Sequence, residues 1–228
     1  MKQLIKKLLV DTLSKKGYYL KRDILLKNSK RLKSRDIPGW FSENESKKLY
    51  QLTLTTKGDI MEIGHFLGRS TACICEALED SGIERKFYSY DLGISTAEDY
   101  QSFFGGLLDN DRGVPQKFKD FVFNKNMTTT QLAEQHLKVL GLDKYVKLIT
   151  GNFIQMDSGK YDFIFCDAMH GPTEIKLNLP HVVNNSSKGC IWAFHDMNPD
   201  DAELVTRLAD CVYIEGIDSL GVFLYRGK

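Results

Sequence analysis

The stretch Asp59-Ile60-Met61-Glu62-Ile63-Gly64-His65-Phe66-Leu67-Gly68-Arg69-Ser70-Thr71 constrains this chain more than any other. An apolar run carries an acidic residue at its end, two glycines follow four residues apart, and two hydroxyl residues open a helical pattern from Ala72 to Glu79. The order is strand, tight turn, helix start. Backbone without a Cβ can turn sharply and let a ligand come close, and the N–H groups at a helix N-terminus attract carboxylate or phosphate. A small molecule with an anionic group is therefore expected on this turn. The third glycine and closer spacing of the dinucleotide fingerprint are missing, which disfavours a nicotinamide dehydrogenase. An ordinary turn whose glycines only shape the backbone is the competing reading, and the rest of the chain has to decide.

Strand patterns and helix patterns alternate along that rest. Strands are read at residues 59–63, 86–90, 146–149, 161–166, 190–194, 212–214 and 222–225. Between them, Ser42 and Glu45 form a capping box for a helix to about Thr56; further helices run from Gln131 to Leu140, from Thr173 to Val183 and from Pro199 to Ala209. The last two strands, joined by a brief loop, suit an antiparallel pair. Residues 92–130 carry Phe103, Phe104, Phe118, Phe121 and Phe123 among turn residues, and are read as a short helix with a lid or substrate loop.

In open α/β sheets ligands bind outside the carboxyl ends of the strands. Glu62, Asp91, Asn152, Asp167, His195 and Asp196 all fall at such ends. Asp91, on the strand after the glycine turn, is placed to accept both hydroxyls of a ribose. Asp167 and Asp196 can share one hard divalent cation with His195 as a third ligand; carboxylates suit magnesium, and an imidazole shifts the preference toward manganese or a later metal. The other reading of His195 is a buried imidazole bonded to backbone. His170, with an ordinary pKa near ~6.5, suits a general base at neutral pH, or else is a surface histidine beside Gly171 and Pro172.

Charge divides the chain unevenly. Residues 1–35 hold twelve Lys and Arg against two Asp, a net +10, and the remaining 19 basic and 28 acidic residues give −9. Leu4, Ile5, Leu8, Leu9 and Leu13 recur at helical spacing opposite Lys2, Lys6, Lys7, Lys15 and Lys16. This basic amphipathic segment can lie on an anionic membrane, meet nucleic acid or pack its stripe on protein, and packing is preferred. No aromatic and basic interleaving for stacking bases accompanies it. No apolar run approaches the ~18 residues of a membrane span, and Lys6 and Lys7 interrupt any signal-peptide core. A cytoplasmic protein is expected. Five cysteines without a Cys-x-x-Cys pair are read as reduced structural thiols.

The run Glu62-Ile-Gly-x-x-x-Gly-Arg-Ser-Thr71 resembles the first motif of class I S-adenosylmethionine-dependent methyltransferases, in the branch that holds sugar, macrolide and catechol-type metal-dependent O-methyltransferases. Pro38-Gly-Trp-Phe-Ser-x-x-Glu45 is also usual there, so the resemblance runs from about residue 37 to 225. It implies a Rossmann-like α/β fold with a seven-stranded, mostly parallel sheet, an antiparallel last strand and helices on both faces. Residues 36–228 would form the single methyltransferase domain and 1–35 a separate segment. On the resemblance, Glu62 lies near the methionine amino group, Gly64 and Gly68 let the backbone pass the cofactor, and Ser70 holds the methionine carboxylate. Asp91 takes the ribose, Asn152 and Phe153 the adenine, and Asp167 borders both cofactor and metal. Catechol-type relatives carry Asp then Asn where this chain has His195-Asp196. They carry a lysine base where this chain has His170, and sugar-modifying relatives carry a histidine.

The implied activity is a magnesium-assisted O-methyl transfer to a small hydroxylated molecule by a homodimer. A metal-independent methyltransferase, in which Asp167 and His195 only orient the substrate, stays open. So does a binding module that uses the cofactor fold as a scaffold and the basic N-terminus to engage membrane or nucleic acid, although the Asp167, His170 and Asp196 set argues against it.

Overall fold

A strand flanked by neighbours on both edges and by helices on both faces must be buried throughout, and β1 (Ile60–Ile63) is buried at all four residues. The computed structural model describes residues 31–94, 127–155 and 159–227. The amphipathic helix expected before residue 31 and most of the 92–130 connection lie outside them. Leu32–Lys228 forms one compact unit.

The sheet continues with β2 (Phe87–Asp91), β3 (Lys147–Thr150), β4 (Tyr161–Cys166), β5 (Ser186–Phe194), β6 (Cys211–Ile217) and β7 (Leu220–Tyr225). Their spatial order is β3-β2-β1-β4-β5-β7-β6. β1 to β5 are parallel, while β7 runs antiparallel to both β5 and β6. The antiparallel strand is thus inserted inside the sheet, and β6 takes the edge. Strand order reverses between β1 and β4, where Ile63 pairs with Cys166; such a switch point opens a crevice at the carboxyl ends.

Side chains alternate across a strand with a period of two, and the core divides accordingly. Ile60, Phe163, Phe165 and Ala193 face one cluster, together with α1 (Glu43–Thr55), α2 (Arg69–Ser81) and α3 (Thr129–Leu140). Met61, Ile63, Ile164, Cys166, Trp192 and Phe194 face the other, together with α4 (Pro172–Asn184) and α5 (Pro199–Leu208). The seven-stranded sheet with helices on both faces is the arrangement expected from the sequence.

Local chemistry sets the helix ends. The Ser42 and Glu45 capping box opens α1 as predicted, and Thr128 with Gln131 makes a second one for α3. Gly68 starts α2 in the left-handed region without a side-chain cap. Proline at the first turn opens α4 and α5. β5 begins at Ser186, four residues before the apolar run, because the polar segment ahead of Cys190 pairs with Tyr161 through a register shift. All five cysteines are unbridged. None of the described helices is long and apolar enough to cross a membrane.

Candidate functional site

The glycine turn sits directly over the switch point. Gly64, at φ +88°, faces Asp167 so closely that a Cβ would lie 2.8 Å from the Asp167 carbonyl oxygen. Gly68, at φ +89°, is pressed against Ala133 of α3 in the same way, at 3.1 Å. Only glycine meets both demands, a left-handed backbone and a bare α-carbon. Beneath the turn Glu62 is wholly buried and accepts three hydroxyl bonds of 2.6 Å each, from Ser70, Thr71 and Ser89. Burial pushes its carboxyl up to about 7 against the pull of those three hydroxyls. The Ser70 hydroxyl, expected at a methionine carboxylate, is therefore engaged with Glu62, and the pair forms one unit at the start of α2.

Asp91 closes β2 and holds two neighbours. Its Oδ2 accepts from the Phe66 amide at 2.8 Å, and its Oδ1 accepts from the Gly93 amide at 2.8 Å and the Thr129 hydroxyl at 3.1 Å. At the end of β3, Asn152 Oδ1 accepts from the Ile154 amide at 3.0 Å, and the buried Phe153 ring meets His181 edge to face at 6.2 Å. The ends of β2 and β3 are joined by a 2.8 Å bond from the Gly151 amide to the Asp91 carbonyl.

An acidic group lies beyond β4 and β5. One ligand atom from each of Asp167, His170 and Asp196 falls within 4.8 Å of the others. His170 Nε2 is 3.4 Å from Asp167 Oδ1 and 3.7 Å from Asp196 Oδ2, while its Nδ1 meets Glu174 Oε2 at 3.0 Å. Asp196 adopts φ 55°, an uncommon conformation for a residue with a side chain. Two carboxylates and an imidazole form a donor set that fits a divalent cation.

The cation trio expected from the sequence was Asp167, His195 and Asp196; the structure brings His195 Nδ1 to 3.7 Å from Asp196 Oδ1 as well as to Asp167, and also groups His170 with the two aspartates. His195 is 5% exposed. It stands between two carboxylates, with Nδ1 3.1 Å from Asp167 Oδ1 and Nε2 3.5 Å from Glu45 Oε2. Phe41 packs on the ring at 5.1 Å. Glu45, 2% exposed, also accepts from the Ser42 amide at 2.7 Å and from the amide and hydroxyl of Ser219 at 2.9 and 2.7 Å.

These contacts set the charges. The bond to Asp167 raises the His170 imidazole to about 9, against its desolvation. Burial alone would lower His195, but Asp167 and Glu45 outweigh it and raise it to about 10. Burial would raise Glu45, and bonds to His195, Ser42 and Ser219 bring it down to about 2. Asp167 is likewise held below the usual carboxylate range by its two histidines, against burial. At neutral pH both imidazoles are thus protonated, and His170 can take a proton only once the negative charge around it is shared.

Sequence reasoning read Glu45 only as a helix cap and passed over His65 and Thr130. Glu45 stood in the segment carrying the resemblance, and His65 lay between the two glycines, so both signals were present without a partner to interpret them.

Residues 61–197 match the model of a family described as a methyltransferase domain. A comparison with curated proteins finds no match. Among solved structures, an S-adenosylmethionine-dependent O-methyltransferase from Thermotoga maritima aligns with a TM-score of 0.55 at 14% identity, over 92% of this chain and 73% of that one. A methyltransferase from Geobacter sulfurreducens aligns with a TM-score of 0.54 at 13% identity, over 90% of each chain. At these identities the likeness is one of fold.

Proposed function

The chain belongs to the class I S-adenosylmethionine-dependent methyltransferases, and from that premise we propose that it moves the cofactor's methyl group to a hydroxyl oxygen of a small molecule, a sugar or natural product. The observation that carries this reading is the contact of Gly64 with the Asp167 carbonyl. It sets the cofactor turn and the acidic group side by side at one switch point.

In this reading the start of α2, with Ser70 and Glu62, takes the methionine end of the cofactor. Asp91 takes the ribose, Asn152 and Phe153 the adenine, and Gly64 and Gly68 leave room for its passage. Asp167 and Asp196, beside His170, are the residues that would hold a divalent cation, magnesium by preference. Bound groups supply an electrophilic methyl and a positive charge that lowers the acceptor's pKa. The chain's own work is to align acceptor oxygen and methyl carbon, to receive the hydroxyl proton at His170 and to keep Asp167 fixed through His195. Residues 36–228 would be the catalytic domain of a cytoplasmic homodimer without a nucleic-acid partner, and 1–35 a separate basic segment.

A second reading dispenses with the cation and lets Asp167 and the protonated His170 only orient the acceptor. It draws on the 3.4 Å pair those residues already form. A thermal-shift panel with S-adenosylmethionine, S-adenosylhomocysteine, NAD, magnesium and manganese tests both. Stabilisation by the two adenosyl compounds and not by NAD is expected, with a further shift on adding magnesium. A shift with NAD alone would overturn the cofactor assignment, and a panel indifferent to cations would favour the second reading.

A further inference from the structure

Beneath the glycine turn three buried side chains and the half-buried Thr130, from four segments, form a single hydrogen-bonded line, and we propose that His65 is a positioning residue that sets cofactor affinity through it. The inference rests on the cofactor reading above. His65 is 1% exposed. Its Nε2 is 3.0 Å from the Thr130 hydroxyl on α3, and its Nδ1 is 2.9 Å from the Ser89 hydroxyl on β2. Ser89 in turn lies 2.6 Å from Glu62 Oε2 on β1.

The inventory of donors fixes the direction of every proton. Above about pH 7 Glu62 is ionised and can only accept, so the single Ser89 proton points to it. The Ser89 oxygen must then accept, which requires a proton on His65 Nδ1. Burial lowers the His65 pKa and keeps the ring neutral, so Nε2 carries a lone pair and accepts from Thr130. The line runs one way, from Thr130 through His65 and Ser89 to Glu62.

The same face of α3 holds the turn at three other points. Thr129 donates to Asp91 at 3.1 Å, Ala133 closes on Gly68, and His136 Nδ1 donates to the Leu67 carbonyl at 2.8 Å. His65 is the link that carries this grip inward to the carboxylate holding Ser70 and Thr71. Without a donor at Nδ1, Ser89 is free to turn its proton away from Glu62, and the start of α2 loses its anchor.

The test separates the two nitrogens. The amide nitrogen of Asn reaches the Nδ1 position and can still donate to Ser89, whereas that of Gln reaches the Nε2 position and leaves Ser89 without a donor. In titration calorimetry with S-adenosylhomocysteine, His65→Asn should bind within about threefold of wild type and His65→Gln about tenfold more weakly, the scale of one buried hydrogen bond. Denaturant unfolding should show similar stability losses for both. Equal affinities in the two variants would overturn the proposal. So would unchanged affinity in Glu62→Gln, since the line ends there. A wild-type protein that does not bind S-adenosylhomocysteine would instead overturn the cofactor reading itself. Nitrogen-15 spectra of wild-type His65 supply a check that needs no variant: a neutral ring protonated on Nδ1 is expected, and a proton on Nε2 would refute the line.

Discussion

Glu62 shows how much one enclosed carboxyl can weigh. Its pKa rises from 4.5 to about 7 because burial outweighs three hydroxyl donors. Between those values the folded chain keeps a proton that the unfolded chain has released, so stability falls as pH rises through that window and levels off above it. The full effect is about 3 kcal/mol for a shift of this size. Glu62→Gln should flatten the decline in unfolding free energy between pH 5 and pH 7, measured in denaturant; parallel profiles for the two proteins would refute this. Gly64 gives a second residue-scale test. Gly82, at φ +62°, has nothing within 4 Å of a built Cβ, whereas Gly64 meets the Asp167 backbone oxygen at 2.8 Å. Gly82→Ala should lose only the ~1–2 kcal/mol of left-handed strain. Gly64→Ala should lose more than that and also weaken S-adenosylhomocysteine binding, because a backbone carbonyl cannot swing aside.

At the scale of elements, α1 is anchored by its first turn. Ser42 bonds Asp218, Lys48 pairs with Glu215, and Glu45 holds both Ser219 and His195. One helix end thereby fastens the β6–β7 hairpin to the end of β5. Ser42→Ala should cost about 1 kcal/mol, the scale of a lost cap. Glu45→Ala should cost about 1.5–3 kcal/mol, since it removes one of the two carboxylates that face the buried His195 and leaves Ser219 without its acceptor. The pH dependence follows from two shifts of opposite sign. Glu45, lowered to about 2, contributes stability above 4.5 that is lost as pH falls through its folded value. His195, raised to about 10, contributes stability below 6.5 that is lost as pH rises through its folded value. The gap between wild type and Glu45→Ala in unfolding free energy should be widest between pH 4.5 and 6.5. A gap that grows toward pH 10 would show that the pair is not the source. The capping box itself was legible in the sequence, being a pattern of four adjacent residues. Its partners were not, because Ser219 and His195 lie far along the chain and only packing brings them to Glu45. The same limit applies to His195: a strand-end position places it near Asp167 but does not show that its other ring nitrogen meets Glu45.

Across the whole molecule, the legible part is the periodic part. Apolar runs at 60–63, 161–166 and 190–194 and the glycine turn define the central strands and the crevice. The insertion of β7 between β5 and β6 was not legible, because a hairpin pattern fixes which two strands pair and not which of them enters the sheet. The consequence for binding is that the cofactor turn and the acidic trio belong to opposite sides of one switch point, with Gly64 against Asp167 as the join. Ligands at the two places should therefore stabilise the fold by separate amounts that add when the join is intact. S-adenosylhomocysteine at a hundred times its Kd should add about 2.7 kcal/mol, a rise in Tm of roughly 5–10 °C for a chain of this length. Asp196→Asn should keep that rise and lose the further shift produced by magnesium, since it removes a carboxylate from the trio without touching the turn. If Asp196→Asn abolishes the S-adenosylhomocysteine shift as well, the two places are one cooperative site. If it leaves the magnesium shift intact, the cation lies elsewhere.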